Sequence, residues 1–385
     1  MKKNITIIVE SLYGGGVERI LQIICNHLNY ERYNLTLYSI KKDNPKEPYY
    51  PSCINYKYIF DTIEKEESIW KKAWIKVKNK YKLFIYYHFS PKTFYRQFIR
   101  EKADVAIGFI EGYATRLVAG FPNDTKRIAW LHIELNNFHW SKIAYQSIEE
   151  EKKTYLSMSR IVCVANTVKE QIDNLYPVSN KTIVIHNPID QNRILKLAQE
   201  PLPENLIQKN YPARIIGIGS LNARKAHDRM LRITKRLKEE NINYELWILG
   251  KGEKENELKE FIHENSLDDR VKLLGYQNNP YPYLQAADIY VCSSYAEGYN
   301  TAITEALILE KAVVSTECSG VKEQLGENND YGICTPNNEE DLYKGIKEML
   351  NPSTLAYYTQ KAQERGKFFT LENNMNKIYE LLESL

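Results

Sequence analysis

Residues 287–306, ADIYVCSSYAEGYNTAITEA, read as one strand, one loop and one helix. Ile289–Cys292 is a short unbroken apolar run, as required of a parallel strand buried on both faces. From Thr301 the residues follow a helical pattern, so Ser293 to Asn300 form the connection. The same alternation runs outward in both directions. Towards the amino terminus, strands are predicted at Ile5–Val9, Leu35–Ser39, Val105–Phe109, Arg127–Leu131, Ile161–Val164 and Thr182–Ile185. Val17, Ile20, Leu21, Ile24 and Leu28 mark one face of a helix after the first of these. A second series has strands at Arg214–Ile218, Tyr244–Leu249, Val271–Leu274, Ile289–Cys292, Ala312–Ser315 and Tyr331–Cys334, with helices at Glu253–Asn265, Thr301–Glu310 and Glu339–Leu350. Alternating β and α elements build parallel sheets covered by helices. Pro188, Pro201, Pro203 and Pro212 punctuate a polar stretch between the series. The expected fold is therefore α/β, with two Rossmann-like domains at 1–195 and 196–370 facing each other across a cleft.

The 385 residues suit two such domains, and 43% apolar with 26% charged residues is the balance of a globular protein. A net charge of +3 announces no nucleic-acid partner. Six cysteines, Cys25, Cys53, Cys163, Cys292, Cys318 and Cys334, contain no CxxC pair and read as reduced core side chains. Glu10 interrupts the first apolar run long before a signal peptide is complete, and no segment reaches the ~18 apolar residues of a membrane span. A cytoplasmic location is expected on these grounds.

Three stretches are candidates for chemistry. Gly14-Gly15-Gly16-Val17-Glu18 lies between a strand and a helix, where backbone amides at a helix start favour an anion. It lacks the GxGxxG spacing of dinucleotide enzymes, which argues against a nicotinamide-dependent oxidoreductase. Gly250-Lys251-Gly252 is a second glycine turn, equally compatible with tight-turn structure. Glu297 falls in a strand-to-helix loop, where doubly wound sheets bind ligands, and Glu305 falls within the following helix. Eight helical residues rise about 12 Å, enough for two carboxylates to touch different parts of one extended molecule.

The run from Ala287 to Ala306, followed by Ala312-Val313-Val314-Ser315 and Gly320, resembles the Glu-x7-Glu signature of the family 4 glycosyltransferases. Gly15-Gly16-Val17-Glu18, Trp130-Leu131-His132 and the Gly219 to Lys225 segment extend the resemblance, in family order, across nearly the whole chain. It implies a retaining transferase of the GT-B type that moves a sugar from a nucleotide diphosphate donor, UDP being favoured, to a glycan or polyprenyl-linked acceptor in cell-surface polysaccharide or glycoconjugate synthesis. A nucleotide-sugar binding protein of the same fold, without transferase activity, is the rival reading. By resemblance, Glu297 contacts the transferred sugar, Glu305 the donor ribose, and Lys225 the diphosphate leaving group. Gly298, Tyr299, Asn300 and Thr301 supply the amides and helix start beside sugar and diphosphate, Gly15 and Gly16 form the glycine turn of the first domain, and His132 faces the donor sugar. The last stretch, 371–385, is expected to cross back to the first domain, as the family's final helix does.

Two departures stand out. Ser220 replaces an arginine that many members place on the diphosphate, which leaves Arg224 as the candidate second cation. Glu310-Lys311-Ala312 stands where a glycine is common. Positioned cations and helix-end amides stabilise a departing diphosphate without a metal, and the sequence has no Asp-x-Asp motif, so no cofactor is expected. No covalent nucleophile is assigned.

Residues 65–102 carry eleven Lys or Arg against three Glu, an excess of eight in a chain whose total is +3. Trp70, Trp74, Phe84, Tyr86, Tyr87 and Phe89 interleave with these charges. Basic and aromatic residues together suit an anionic membrane surface, which would make the protein peripheral on the inner face of the membrane. The alternative is a solvated helix with its aromatic residues in the core.

Overall fold

The structure is a computed structural model that describes residues 2–43, 45–46, 49–135 and 139–385. The chain divides into two compact units, Met1–Pro188 with Glu372–Leu385, and Ile189–Leu371.

The first unit is built on β1 (Lys3–Val9), β2 (Tyr33–Lys41), β3 (Asn55–Phe60), β4 (Val105–Gly108), β5 (Lys126–Leu131), β6 (Arg160–Cys163) and β7 (Thr182–Val184). They form one parallel sheet in the order β3-β2-β1-β4-β5-β6-β7. Its central strands are Val- and Ile-rich runs buried on both faces, as the sequence predicts. β3 was not predicted. Its sequence, NYKYIF, is polar along most of its length because it lies at the sheet edge with one side open. Helix α1 (Gly16–His27) follows β1, and helix α2 (Ile69–His88) follows β3. The helix Leu371–Glu383 packs on this unit: Lys3 Nζ donates to the Leu382 carbonyl (2.6 Å), Tyr379 Oη donates to the His27 carbonyl (2.7 Å), and the Tyr379 and Tyr33 rings stack.

The second unit contains β8 (Arg214–Ile218), β9 (Glu245–Leu249), β10 (Val271–Leu273), β11 (Ile289–Cys292), β12 (Ala312–Thr316) and β13 (Ile333–Thr335), parallel in the order β10-β9-β8-β11-β12-β13. Ile215, Leu246, Ile248, Ile289, Val291 and Val314 from these strands pack against Leu231 and Leu237 of the helix His227–Glu239. The helix Gln191–Leu197, which a boundary at 195/196 would cut, lies wholly in this unit. The helix predicted to end at Glu310 ends at Ile308. Glu310 then adopts a left-handed φ of +60°, and the Lys311 N–H closes the turn on the Ala306 carbonyl. That is a conformation a glycine adopts without strain, so a glycine would suit this position as well as Glu310 does.

Both sheets reverse their strand order once, between β1 and β4 and between β8 and β11. Loops at the carboxyl ends of such strand pairs are where open α/β sheets hold ligands. Of the cysteines, Cys25, Cys163 and Cys292 are buried, but Cys53 is exposed and so is not a core residue. Among the described residues no helix is long and apolar enough to cross a membrane.

Candidate functional site

The loops after β8 and β11 meet at the reversal of the second sheet. Glu297, in the β11 loop, is only 6% exposed, a position a carboxylate seldom occupies without partners. Lys225 Nζ donates to its Oε1 (2.6 Å), Arg224 Nη1 to its Oε2 (3.1 Å), and Ser294 Oγ to Oε1 (2.6 Å). Burial pushes the Glu297 carboxyl up, but Lys225 and Arg224, with the hydrogen bonds from Lys225 and Ser294, outweigh it and hold the group below the usual carboxylate range. The result is an ionised carboxylate clamped by two cations.

The backbone fixes that clamp. Asn222 Oδ1 accepts the Lys225 N–H (3.0 Å), Ser293 Oγ donates to the Lys225 carbonyl (3.0 Å), and the Tyr295 N–H donates to the Arg224 carbonyl (2.8 Å). The chain leaves the β8 loop through Ala226 at a φ of +51°, a strained conformation for a residue with a Cβ. Gly250 and Gly252 buttress the same loop: a Cβ on either would lie 1.8 Å from the Gly219 carbonyl oxygen or 2.3 Å from that of Leu221. The second glycine turn is thus a packing feature that lets two backbones touch. His227, at the start of the next helix, is buried, and burial followed by the Lys225 charge pushes its imidazole down to about 4.

Beyond Glu297, Asn300 caps the helix Thr301–Ile308, its side chain accepting the Ala302 N–H (3.0 Å), while Gln324 Nε2 donates to the Asn300 carbonyl (2.8 Å). Glu305 lies inside that helix, 3% exposed, and accepts a hydrogen bond from Tyr281 Oη (3.1 Å). Gly298 and Tyr299 pack under Gly320, whose φ is +78° and whose Cβ, if present, would lie 2.8 Å from Tyr299 Cδ2 and 2.9 Å from the Gly298 oxygen. Gly320→Ala is therefore expected to cost about 1 to 3 kcal/mol in denaturant unfolding through backbone strain and this contact. A variant as stable as the parent would show that the loop yields freely.

In the first unit the glycine turn of 14–16 opens α1, with Gly15 as its cap. Its anion is supplied internally: Glu18 accepts the backbone amides of Gly15 and Glu18 itself, and the Ser11 hydroxyl (3.0 Å). His132 follows β5 against the Phe109 ring, at 4.9 Å between centroids, and its Nε2 is enclosed with no partner among the described residues. Burial pushes this imidazole down to about 3, so it is neutral near pH 7.

The sequence reading missed three residues. Ser294 and Tyr281 touch the two glutamates but lie at no motif spacing from them. Glu111, in the loop after β4, is 1% exposed and accepts the His132 N–H (2.9 Å) and Trp140 Nε1–H (3.1 Å). Burial pushes its carboxyl up to about 7 despite these donors. The visible signal is a glutamate two residues after the predicted strand Val105–Phe109.

The solved structure of HepE from Anabaena, in complex with UDP and glucose, superposes with a TM-score of 0.74 at 19% identity over all of both chains. TarM of S. aureus does so with a TM-score of 0.72 at 13% identity, over 98% of this chain and 99% of that one. These likenesses concern the fold. By sequence, the chain is 30% identical over 204 residues to the N-acetylgalactosamine-N,N'-diacetylbacillosaminyl-diphospho-undecaprenol 4-alpha-N-acetylgalactosaminyltransferase of Campylobacter jejuni, covering 52% of this chain and 53% of that protein. It is 29% identical over 267 residues to the amylovoran biosynthesis glycosyltransferase AmsK of Erwinia amylovora, covering 64% of this chain and 63% of that protein. The match thus spans about half to two thirds of these relatives' length. The family profile "Glycosyltransferase Family 4" matches residues 14–193, and "Glycosyl transferases group 1" matches 199–365, one on each unit. With both halves matched and the fold shared, the chain belongs to the family 4 glycosyltransferases of the GT-B type.

Proposed function

We propose that this protein is a retaining glycosyltransferase, taking a hexosyl group from a UDP-sugar to a glycan or polyprenyl-linked acceptor in cell-surface polysaccharide or glycoconjugate synthesis. The observation that carries the reading is the Glu297 carboxylate clamped by Lys225, Arg224 and Ser294 where the second sheet reverses. UDP in the complexes of HepE and TarM supports the nucleotide, and the diphospho-undecaprenol in the Campylobacter relative's name supports a lipid-linked acceptor.

In this reading the donor diphosphate takes up the positive charge of Lys225 and Arg224, the latter standing in for the arginine absent at Ser220. Glu297 is then released towards the sugar hydroxyls. The bond between the anomeric carbon and the phosphate oxygen breaks with its electron pair going to the diphosphate. The acceptor hydroxyl oxygen bonds the anomeric carbon on the same face, and its proton passes to the departing phosphate oxygen. Two fixed cations and the amides around Gly298, Tyr299 and the start of the helix at Thr301 stabilise the leaving group electrostatically. Glu305 holds the ribose, and His132, which by resemblance to the family serves the donor sugar, is a neutral imidazole whose backbone N–H is held by Glu111.

The test is to incubate the protein with UDP-sugars in the absence of acceptor. Slow release of UDP from one sugar, unaffected by EDTA, is expected. Donor binding with no hydrolysis, and no transfer to any acceptor, would make the protein a nucleotide-sugar binder. Complete loss of turnover in EDTA would mean that a metal, and not the two side-chain cations, carries the leaving group.

A further inference from the structure

Helix α2 presents two unlike faces. Ile75, Ile85 and Tyr86 point into the first unit, joined by Lys82, whose Nζ donates to the Ile59 carbonyl, and by Asn79, whose Nδ2 donates to the Asp61 carbonyl (2.8 Å). The helix is therefore anchored along one side. The opposite side carries Trp70, Trp74, Val77, Tyr81 and Phe84 at spacings of four, three, four and three, which is a single stripe on a 3.6-residue helix. All five are exposed, Trp70 at 87% and Trp74 at 68%. From first to last the stripe runs about 21 Å. Of the aromatic residues of α2, Tyr86 is buried, while Trp70, Trp74, Tyr81 and Phe84 face outwards.

Charge decides what covers such a stripe. Lys71 is paired with Glu67 (2.8 Å) and Lys78 with Asp61 (3.1 Å), so these cations are already partly neutralised. Lys76 and Lys80 are exposed and have no ion pair among the described residues. The segment that follows adds exposed Lys92, Arg96 and Arg100. A second copy of α2 docked on the first would bring these like charges together. An anionic bilayer satisfies both features: its interface takes Trp and Tyr side chains, and its headgroups attract lysine and arginine within a Debye length.

We propose that α2 is a docking helix that lies in the plane of an anionic membrane, with Trp70, Trp74, Val77, Tyr81 and Phe84 in the interface and Lys76 and Lys80 at the headgroups. The stripe shares no residue with the proposed donor site, and the proposal rests on the proposed transfer reaction only for its purpose, which is to bring the protein to a lipid-linked acceptor. Docking is peripheral and reversible, since one helix stripe enters and nothing spans.

The experiment uses the full chain, without donor or acceptor, and vesicles of neutral phosphatidylcholine with or without a quarter phosphatidylglycerol. Co-sedimentation with the anionic vesicles at low salt is expected, accompanied by a blue shift of tryptophan fluorescence. Of the five tryptophans, Trp130 and Trp247 are fully buried and Trp140 is half-buried with its Nε1 held by Glu111, so a shift that the Trp70 and Trp74 substitutions remove reports on those two. Binding should weaken as salt rises. Lys76→Gln with Lys80→Gln should weaken it by about tenfold or more, from the loss of two headgroup contacts. Trp70→Ser with Trp74→Ser should abolish the blue shift and weaken binding on any vesicle. Both pairs lie on the exposed face, and unchanged circular dichroism and thermal unfolding check that each variant is folded. Absence of vesicle binding at low salt overturns the proposal, as does binding that ignores the tryptophan pair. Self-association that the tryptophan pair abolishes, without vesicle binding, assigns the stripe to a second copy and also overturns it. Failure of donor hydrolysis, read in a separate assay, would leave the vesicle result standing.

Discussion

Lys225→Ala is expected to lower donor affinity and turnover together, by about ten- to a hundredfold in kcat/KM. Lys225 Nζ lies 2.6 Å from Glu297 Oε1 and is mostly shielded from water, with its side chain 16% exposed. A charge-assisted hydrogen bond to a diphosphate in such a place is worth roughly 1.5 to 3 kcal/mol, and 1.4 kcal/mol is a factor of ten. The loss should appear in both constants, because the diphosphate is bound in the ground state and gains charge in the transition state. Arg224 remains in the variant, at 3.1 Å from the other carboxylate oxygen, so some activity should persist. The same substitution should show itself without any substrate. Glu297 has a depressed pKa in the folded protein, so its ionised form contributes stability that is present above the unfolded carboxylate range and lost as pH falls through the folded value. Lys225 is the leading attraction behind that depression. The stability difference between parent and variant, measured by denaturant unfolding, should therefore be present at neutral pH and shrink on acidification. Unchanged kinetics would remove Lys225 from the leaving-group role, and a stability difference independent of pH would remove it from the carboxylate clamp.

The parts of this molecule legible in the sequence are those that obey a local period. β8 and β11 were read to the residue because a strand buried on both faces must be apolar throughout, and Ile289–Cys292 has no other reading beside a loop of Ser, Gly and Asn. Edge strand β3 escaped because one open side relaxes that demand. The Glu297 and Glu305 positions were visible as a spacing, but what makes Glu297 an anion was not. Arg224, Lys225 and Ser294 reach it through space, from a loop some 70 residues earlier and from three residues before it. Glu111 was hidden for the same reason, its donors being the backbone of His132 and the indole of Trp140. The basic stretch shows the opposite failure. Counting charges gives an excess of eight over 65–102, whereas Glu67 and Asp61 take up Lys71 and Lys78, Lys72 and Lys82 donate to backbone carbonyls, and Lys76 and Lys80 are left exposed with no ion pair among the described residues. Which way the aromatic residues faced was likewise undetermined, since lysines occur on both sides of the helix and blur its pattern.

Glu297→Gln is expected to separate binding from chemistry more sharply than any other substitution. The amide has the shape of the carboxylate and can still accept a hydrogen bond from Lys225 or Ser294, so the loop after β11 has no steric reason to move. What disappears is the negative charge between two cations. In the free protein Lys225 and Arg224 then lack their counter-ion, which costs some stability, though both side chains reach water, at 16% and 27% exposure, and are not stranded as fully buried charges are. A UDP diphosphate meets those cations without having to displace a carboxylate. UDP affinity should therefore be held or raised, and this direction is the distinctive part of the prediction. Turnover should fall by about a hundred- to a thousandfold, the size of effect seen when one preorganised electrostatic contact to a transition state is removed. Calorimetric titration with UDP beside initial-rate kinetics gives both numbers. If UDP binding falls in step with turnover, Glu297 acts on the nucleotide and the Lys225 and Arg224 clamp is not the diphosphate site. If turnover is unchanged, the carboxylate serves only to hold the two cations in place.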